Sequence, residues 1–210
     1  MLTAALDHIV VTAGSRAAGV AHIADLLGVA PQQGGEHAHM GTHNALLRLG
    51  AACYLEVIAA NPHAPAPGRP RWFSLDQLDP LTSPRLAGWV VRTSDITASA
   101  AGSALPRGPI ETMTRDAWRW QITIPRDGSL LLDGAAPSLI EWSTSVHPAD
   151  ALPDVGCSLV MLEIRHAQYD LLAAWLHEIG FVGPVTLAPP AAGQPVLLAH
   201  IHTPHGVCTL

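Results

Sequence analysis

Residues 6–11 read Leu-Asp-His-Ile-Val-Val (LDHIVV). The run is short, apolar and rich in β-branched residues, so it reads as a strand. Ser15 follows as an N-cap, and Val20, Ile23 and Leu27 then recur at helical spacing until Gly28 stops the helix. After a Gly- and His-rich loop (GGEHAHMG, 34–41) come strands at 44–49 and 53–59, separated by a turn at Gly50. The unit is β-α-β-β, with room in the loop for one more strand.

The same order returns about eighty residues later, and internal repetition is a strong guide to architecture. Residues 89–92 (WVVR) form a strand, Asp95 caps an Ala/Ser-rich helix, and strands follow at 118–124 and 139–142. A third start lies at 159–164. Its helix carries Leu172, Trp175, Leu176 and Ile179 on one face and stops at Gly180, and strands at 196–202 and 206–210 complete it. Two Pro-rich stretches, NPHAPAPGRP (61–70) and residues 145–153, cannot continue a sheet or helix and read as surface connectors. The chain is therefore α+β, two and a half β-α-β-β-β modules. A first module spans 1–60, a connector 61–85, a second module 86–144, a connector 145–156 and a partial third module 157–210, together forming one compact unit.

Composition excludes several functions. All 11 cations are Arg. Without Lys there is no Schiff-base or pyridoxal-phosphate chemistry and no P-loop, and no nucleotide cofactor is expected. A net charge of −6 supplies no basic field for nucleic acid or an anionic membrane. No apolar run approaches the ~20 residues of a membrane helix, and the first residues do not read as a signal peptide. Three dispersed cysteines argue against a disulfide framework. A cytoplasmic location is expected.

Only 13% of the residues are charged, which makes carboxylates inside apolar strands conspicuous. Glu56 (CYLEVIA), Glu141 (SLIEWS) and Glu163 (VMLEIRH) are three of six Glu. Each needs compensation, because desolvating a carboxylate costs several kcal/mol. Glu56 and Glu141 occupy the last strands of their modules and read as a pair; Glu163, on a first strand, reads as an edge or Arg-paired residue. His8 is either a core histidine or, beside these carboxylates, a metal ligand. One imidazole with carboxylates suits Zn, Fe, Mn, Ni or Co. His43 is a ligand, an acid–base group or a strand-end histidine facing water. His37 and His39 read as an exposed loop, and His200 and His202 as a half-exposed strand without an acidic companion. Arg119 and Gln121 alternate with Trp118, Trp120 and Ile122. If the Trp face packs on a helix, Arg119 and Gln121 face the concave side. Arg119 then either forks onto a substrate carboxylate or phosphonate or pairs with Glu141. Tryptophans such as Trp120 offer stacking surfaces for a ligand.

LDHIVV, GTHNALLRLG followed by CYLEVIA, WRWQITIP, LIEWS and HPADALP together resemble the glyoxalase-like domain proteins of the vicinal oxygen chelate superfamily, best over 5–60 and 86–153. The resemblance implies paired modules whose mixed sheets curl around a central cleft. It implies metal ligands on first and last strands, here His8, Glu56 and Glu141; Gly88 stands opposite His8, leaving a position for His43 or water. It also implies pairing of chains as a homodimer. The expected activity is a small-molecule enzyme, a lyase, isomerase or dioxygenase, in which a metal polarises the substrate and Glu56, Glu141 or His43 moves a proton. The alternative is a metal-free protein that binds a small molecule in the same cleft.

Overall fold

A computed structural model describes residues 2–101, 105, 107–115, 117–144 and 146–210. The first module holds β1 (Ala4–Thr12), α1 (Arg16–Leu27), β2 (Gln32–His37), β3 (Thr42–Arg48) and β4 (Tyr54–Ala60). β2 is the strand for which the Gly/His loop left room. Ser15 caps α1 by accepting from the Ala18 N–H, and Gly28 ends it in the left-handed region (φ 70°). The second module repeats the order with β5 (Arg85–Thr93), α2 (Ile96–Ala101), β6 (Ile110–Arg115), β7 (Trp118–Thr123) and β8 (Ser138–Trp142). Asp95 Oδ1 accepts from the Ala98 N–H at 2.9 Å, which starts α2.

Both modules enter one sheet in the order β2-β3-β4-β1-β5-β8-β7-β6. β1 runs parallel to β4 and β5 parallel to β8, while β1 and β5 meet antiparallel at the centre. The central ladder is symmetric about the pair Ile9–Trp89. Exchanging the two strands with a shift of 80 residues (6→86, 91→11) turns the pair Leu6–Val91 into Val11–Leu86. The two irregularities of the ladder, which skip Asp7 on β1 and Ala87 on β5, are interchanged by the same operation. A pseudo-twofold axis therefore relates the modules, and it places Gly88 opposite His8 as the sequence repeat implies.

Alternation gives the sheet two apolar faces. On the outer face Ile9, Val11, Leu55, Val57, Trp89, Val91 and Leu139 pack with Ile23 and Leu27 of α1. The C-terminal unit joins that same core. It comprises β9 (Ser158–Arg165), α3 (Tyr169–Glu178), β10 (Phe181–Val182), β11 (Val185–Ala188), β12 (Leu197–Thr203) and β13 (Gly206–Thr209). The helix face read from the sequence is the buried one: Leu172, Trp175, Leu176 and Ile179 all lie in the core. β10 adds to β1, and the remaining strands form a second sheet, β11-β9-β12-β13. The first strand here lies between the second and third, so the element order of a module is repeated with a different winding.

On the inner face Val10, Ile58, Val90, Trp120, Ile122 and Ile140 line a concavity, and the first connector drops into it. The Pro-rich run 61–70 itself is largely exposed, and the residues that follow it turn inward. Phe73 and Ser74 both adopt φ 55°, a sharp turn for non-glycine residues, and Trp72, Phe73 and Leu75 are buried as a result. The second connector behaves likewise, burying Pro148 and Ala149; Ser145, its expected first residue, lies outside the described residues.

Candidate functional site

The bulge in β1 builds the site. An extra residue in one strand re-aims side chains, and bulges recur beside active sites for that reason. Here Asp7 meets groups of the concave side while His8 keeps its place on that face. Asp7 is fully buried. Its Oδ1 lies 2.6 Å from His8 Nδ1, and its Oδ2 accepts from Trp142 Nε1 and His147 Nε2, both at 2.9 Å. Burial alone would raise the Asp7 pKa. The hydrogen bonds from His147 and His8 outweigh it and hold the carboxyl well below the ordinary range. An ionised carboxylate only accepts, so the His8 proton sits on Nδ1 and Nε2 faces the cleft. Tyr54 stacks on the His8 ring at 4.5 Å, and burial, with the charges of Asp7 and Glu56, pushes its hydroxyl pKa up.

His8 Nε2 stands 3.6 Å from Glu56 Oε2. Glu56, buried on β4, is held from the other side: Asn44 Nδ2 donates to Oε1 at 2.6 Å, and Asn44 Oδ1 accepts from the Gly35 N–H at 2.8 Å. A Cβ on Gly35 would lie 2.4 Å from Arg115 Cδ, so that glycine lets Arg115 cross from β6 onto β2. Edge strands β2 and β6 thus approach each other, and the sheet curls almost closed. Arg115 Nη1 lies 3.3 Å from His37 Nε2, whose ring also contacts Thr42 Oγ1 at 3.1 Å. Burial, then the Arg115 charge, lowers the His37 pKa to about 3, so the ring is neutral.

Trp72, Trp120, Trp142, Phe73 and Ile140 wall the cleft, which encloses about 430 Å³ of free space including its mouth. The Trp72 indole N–H is buried with no hydrogen-bond partner. The pseudo-symmetric half of the cleft carries none of this chemistry. Gly88 replaces His8, and Ser138 replaces Glu56, since Val10 pairs with Glu56 as Val90 pairs with Ser138. Phe73 and Leu130 fill the space, lying 4.0 and 3.4 Å from where a Gly88 Cβ would be.

Of the residues singled out in the sequence, the structure brings together His8, Glu56 and Trp120. Glu141 points the other way: its Oε2 accepts from the Ile96 N–H at 2.8 Å, at the start of α2. His43 is on the outer face, beside the buried Ala45 and Leu47, where burial lowers its pKa. Arg119 is exposed and Gln121, paired with Glu141, shares its outward face; the tryptophans, not these polar residues, face the cleft. No ion pair joins Arg119 to Glu141 among the described residues. Glu163 is bound by Arg165 at 2.6 Å and by His200 at 2.8 Å, so His200 does have an acidic companion. His37, expected in an exposed loop, is buried. Sequence reasoning passed over Asp7, Asn44, Tyr54, Trp72, Arg115 and His147. Only Asp7, a second charge inside LDHIVV, carried a local signal.

A resident divalent metal is poorly matched by these donors. His8 Nε2 and Glu56 Oε2 face each other, but catalytic sites take about three protein ligands. Among the described residues no group of three or more His, Cys, Asp or Glu side chains is arranged to hold an ion.

One solved structure shares the fold. A hypothetical protein from Staphylococcus aureus superposes with TM-score 0.56 at 12% identity, over 100% of this chain and 84% of its own. Methylmalonyl-CoA epimerase in complex with methylmalonyl-CoA gives TM-score 0.43 at 16% identity, over 68% of this chain and 97% of its own. A mutant of 4-hydroxymandelate synthase from Streptomyces coelicolor gives 0.46 at 14%, over 100% and 63%. No curated protein matches the chain. The glyoxalase-like domain family matches residues 6–180, most of the length, and the match takes in both modules apart from the first residues of β1. The chain belongs to the glyoxalase-like domain family.

Proposed function

We propose that the protein is a small-molecule enzyme of the isomerase or lyase kind, moving a proton on an oxygen-bearing substrate with His8 and Glu56. The observation that carries this reading is His8 itself, with Asp7 fixing its Nδ1 proton and Nε2 directed at Glu56. A base oriented by a buried carboxylate, with a second proton carrier 3.6 Å away, is an acid–base pair. His8 Nε2 takes a proton from carbon beside a carbonyl, and the electrons of that C–H bond pass to the carbonyl oxygen. Asp7 and Glu56 stabilise the imidazolium on its two sides. The proton then returns to the same or a neighbouring carbon. No step runs through a metal, because among the described residues the cleft brings two donors face to face where about three are ordinary.

The test is hydrogen–deuterium exchange at carbon, followed by NMR in D2O over a panel of small 2-oxo and 2-hydroxy acids and their amides. Wild type should exchange at least one compound at a rate lost in His8→Asn and Glu56→Gln, both checked as folded by circular dichroism. If no compound exchanges faster than in buffer, with or without added Zn, Fe, Mn, Ni or Co, the reading fails.

A further inference from the structure

We infer that the cleft selects an anionic ligand, a flat apolar body carrying a carboxylate or another oxyanion, and that Arg115 and the Trp72 indole N–H are its recognition groups. The inference rests on the enzymatic reading for the site's location, but its evidence and its test concern binding alone.

Two observations point to it independently. The first is the orphan donor. Trp72 is 5% exposed, its N–H has no acceptor, and the ring forms part of the wall shared by both halves of the cleft. A buried unpaired donor is costly, and native structures keep few of them. An acceptor oxygen in the cleft removes that cost. The second is Arg115. It makes no ion pair with a described carboxylate, although Arg69, Arg71 and Arg165 each do. Its contact is with His37, which is neutral and accepts, so the contact orients the guanidinium without cancelling its charge. An oriented guanidinium with free N–H groups suits the two oxygens of a carboxylate.

The walls define the rest of the ligand. Trp120, Trp72 and Trp142 offer ring faces and edges. The anion-binding role that is one of two alternatives for Arg119 in the sequence is inferred for Arg115, which lines the cleft.

Benzoate, phenylphosphonate and benzamide separate the chemistry, because they share a ring and differ in the head group. Isothermal titration should find benzoate or phenylphosphonate bound at least about tenfold more tightly than benzamide, the scale of a charge-assisted hydrogen bond. The stronger of the two identifies the oxyanion. Trp72→Phe keeps the ring, removes the donor and should weaken that anion by about fivefold or more. Arg115→Gln should remove the preference over benzamide. His8→Asn should still bind the anion. Anion binding by a wild-type protein that shows no carbon exchange would defeat the proton-transfer reading and leave this one standing. Equal binding of benzamide and both anions, no binding of any probe, or an unchanged affinity in Trp72→Phe overturns the inference.

Discussion

Asp7 and His147 stand 140 positions apart in the chain, yet His147 Nε2 donates to Asp7 Oδ2 at 2.9 Å. The histidine is locked from behind as well, since its Nδ1 accepts from the Ala149 N–H and Asp150 accepts from its backbone N–H. With Nδ1 accepting and Nε2 donating, His147 is a neutral ring of fixed tautomer. The second connector is therefore tied to the first strand directly behind His8. A ligand in the cleft would meet His8, whose support comes from both ends of the paired modules.

Removing His147 should loosen that support without touching the cleft. His147→Ala leaves Asp7 one donor short in a fully buried site, which should cost about 1–3 kcal/mol. Urea unfolding midpoints against wild type measure it. His147→Gln, which can still donate, should recover part of the loss.

The two glutamates should separate cleanly. Glu56→Gln, inside the cleft, should abolish carbon exchange with a modest change in stability. Glu141→Gln should leave exchange unchanged and cost about 1 kcal/mol or less through its bond to the Ile96 N–H. Arg119→Ala should alter neither. Parallel exchange rates and thermal midpoints for the three variants check this.

Gly35→Ala should act at a distance through Arg115. Its new Cβ would lie 2.4 Å from Arg115 Cδ, and the backbone there also donates to Asn44. Displacing the guanidinium should weaken the preferred oxyanion by about tenfold. Benzamide binding should move less, and the ratio of the two affinities is the measurement.

Acid should unfold the protein in two stages. His37 falls from 6.5 unfolded to about 3 folded. Between those values the unfolded chain binds the extra proton, so stability drops as pH falls below 6.5, by about 1.4 kcal/mol per pH unit for this group. Asp7 adds a second loss below its ordinary value of 3.8, where the unfolded carboxyl protonates before the folded one. Denaturation midpoints from pH 7 to 4 should slope less steeply for His37→Gln than for wild type. Equal slopes would contradict the assignment.

The parts of the fold legible in the sequence are those set by local periodicity and capping. Ser15, Gly28, the apolar face of α3 and the eighty-residue repeat all carried local signals. Glu56 was legible for a related reason: a carboxylate in an apolar alternating strand has to be compensated somewhere. Glu141 misleads because equivalence was judged by place within a motif. Hydrogen-bond register makes Ser138 the true counterpart, and Glu141, three residues further on, projects from the opposite face. Arg119 misleads because alternation separates two faces but does not say which is concave. Asp7 escapes a period-two reading because a bulge re-aims it, and Trp72 and His147 reach the cleft only through tertiary packing of connectors.

The pseudo-twofold axis through Ile9 and Trp89 has a stereochemical consequence. A symmetric cleft with two equivalent bases would accept a ligand in either of two opposite directions and touch both of its faces. With Phe73 and Leu130 packed against Gly88, this cleft has one reactive end. In the proposed mechanism, proton removal and return through His8 and Glu56 then occur on a single face of the bound molecule, so transfer to a neighbouring carbon is suprafacial and gives that carbon one fixed handedness.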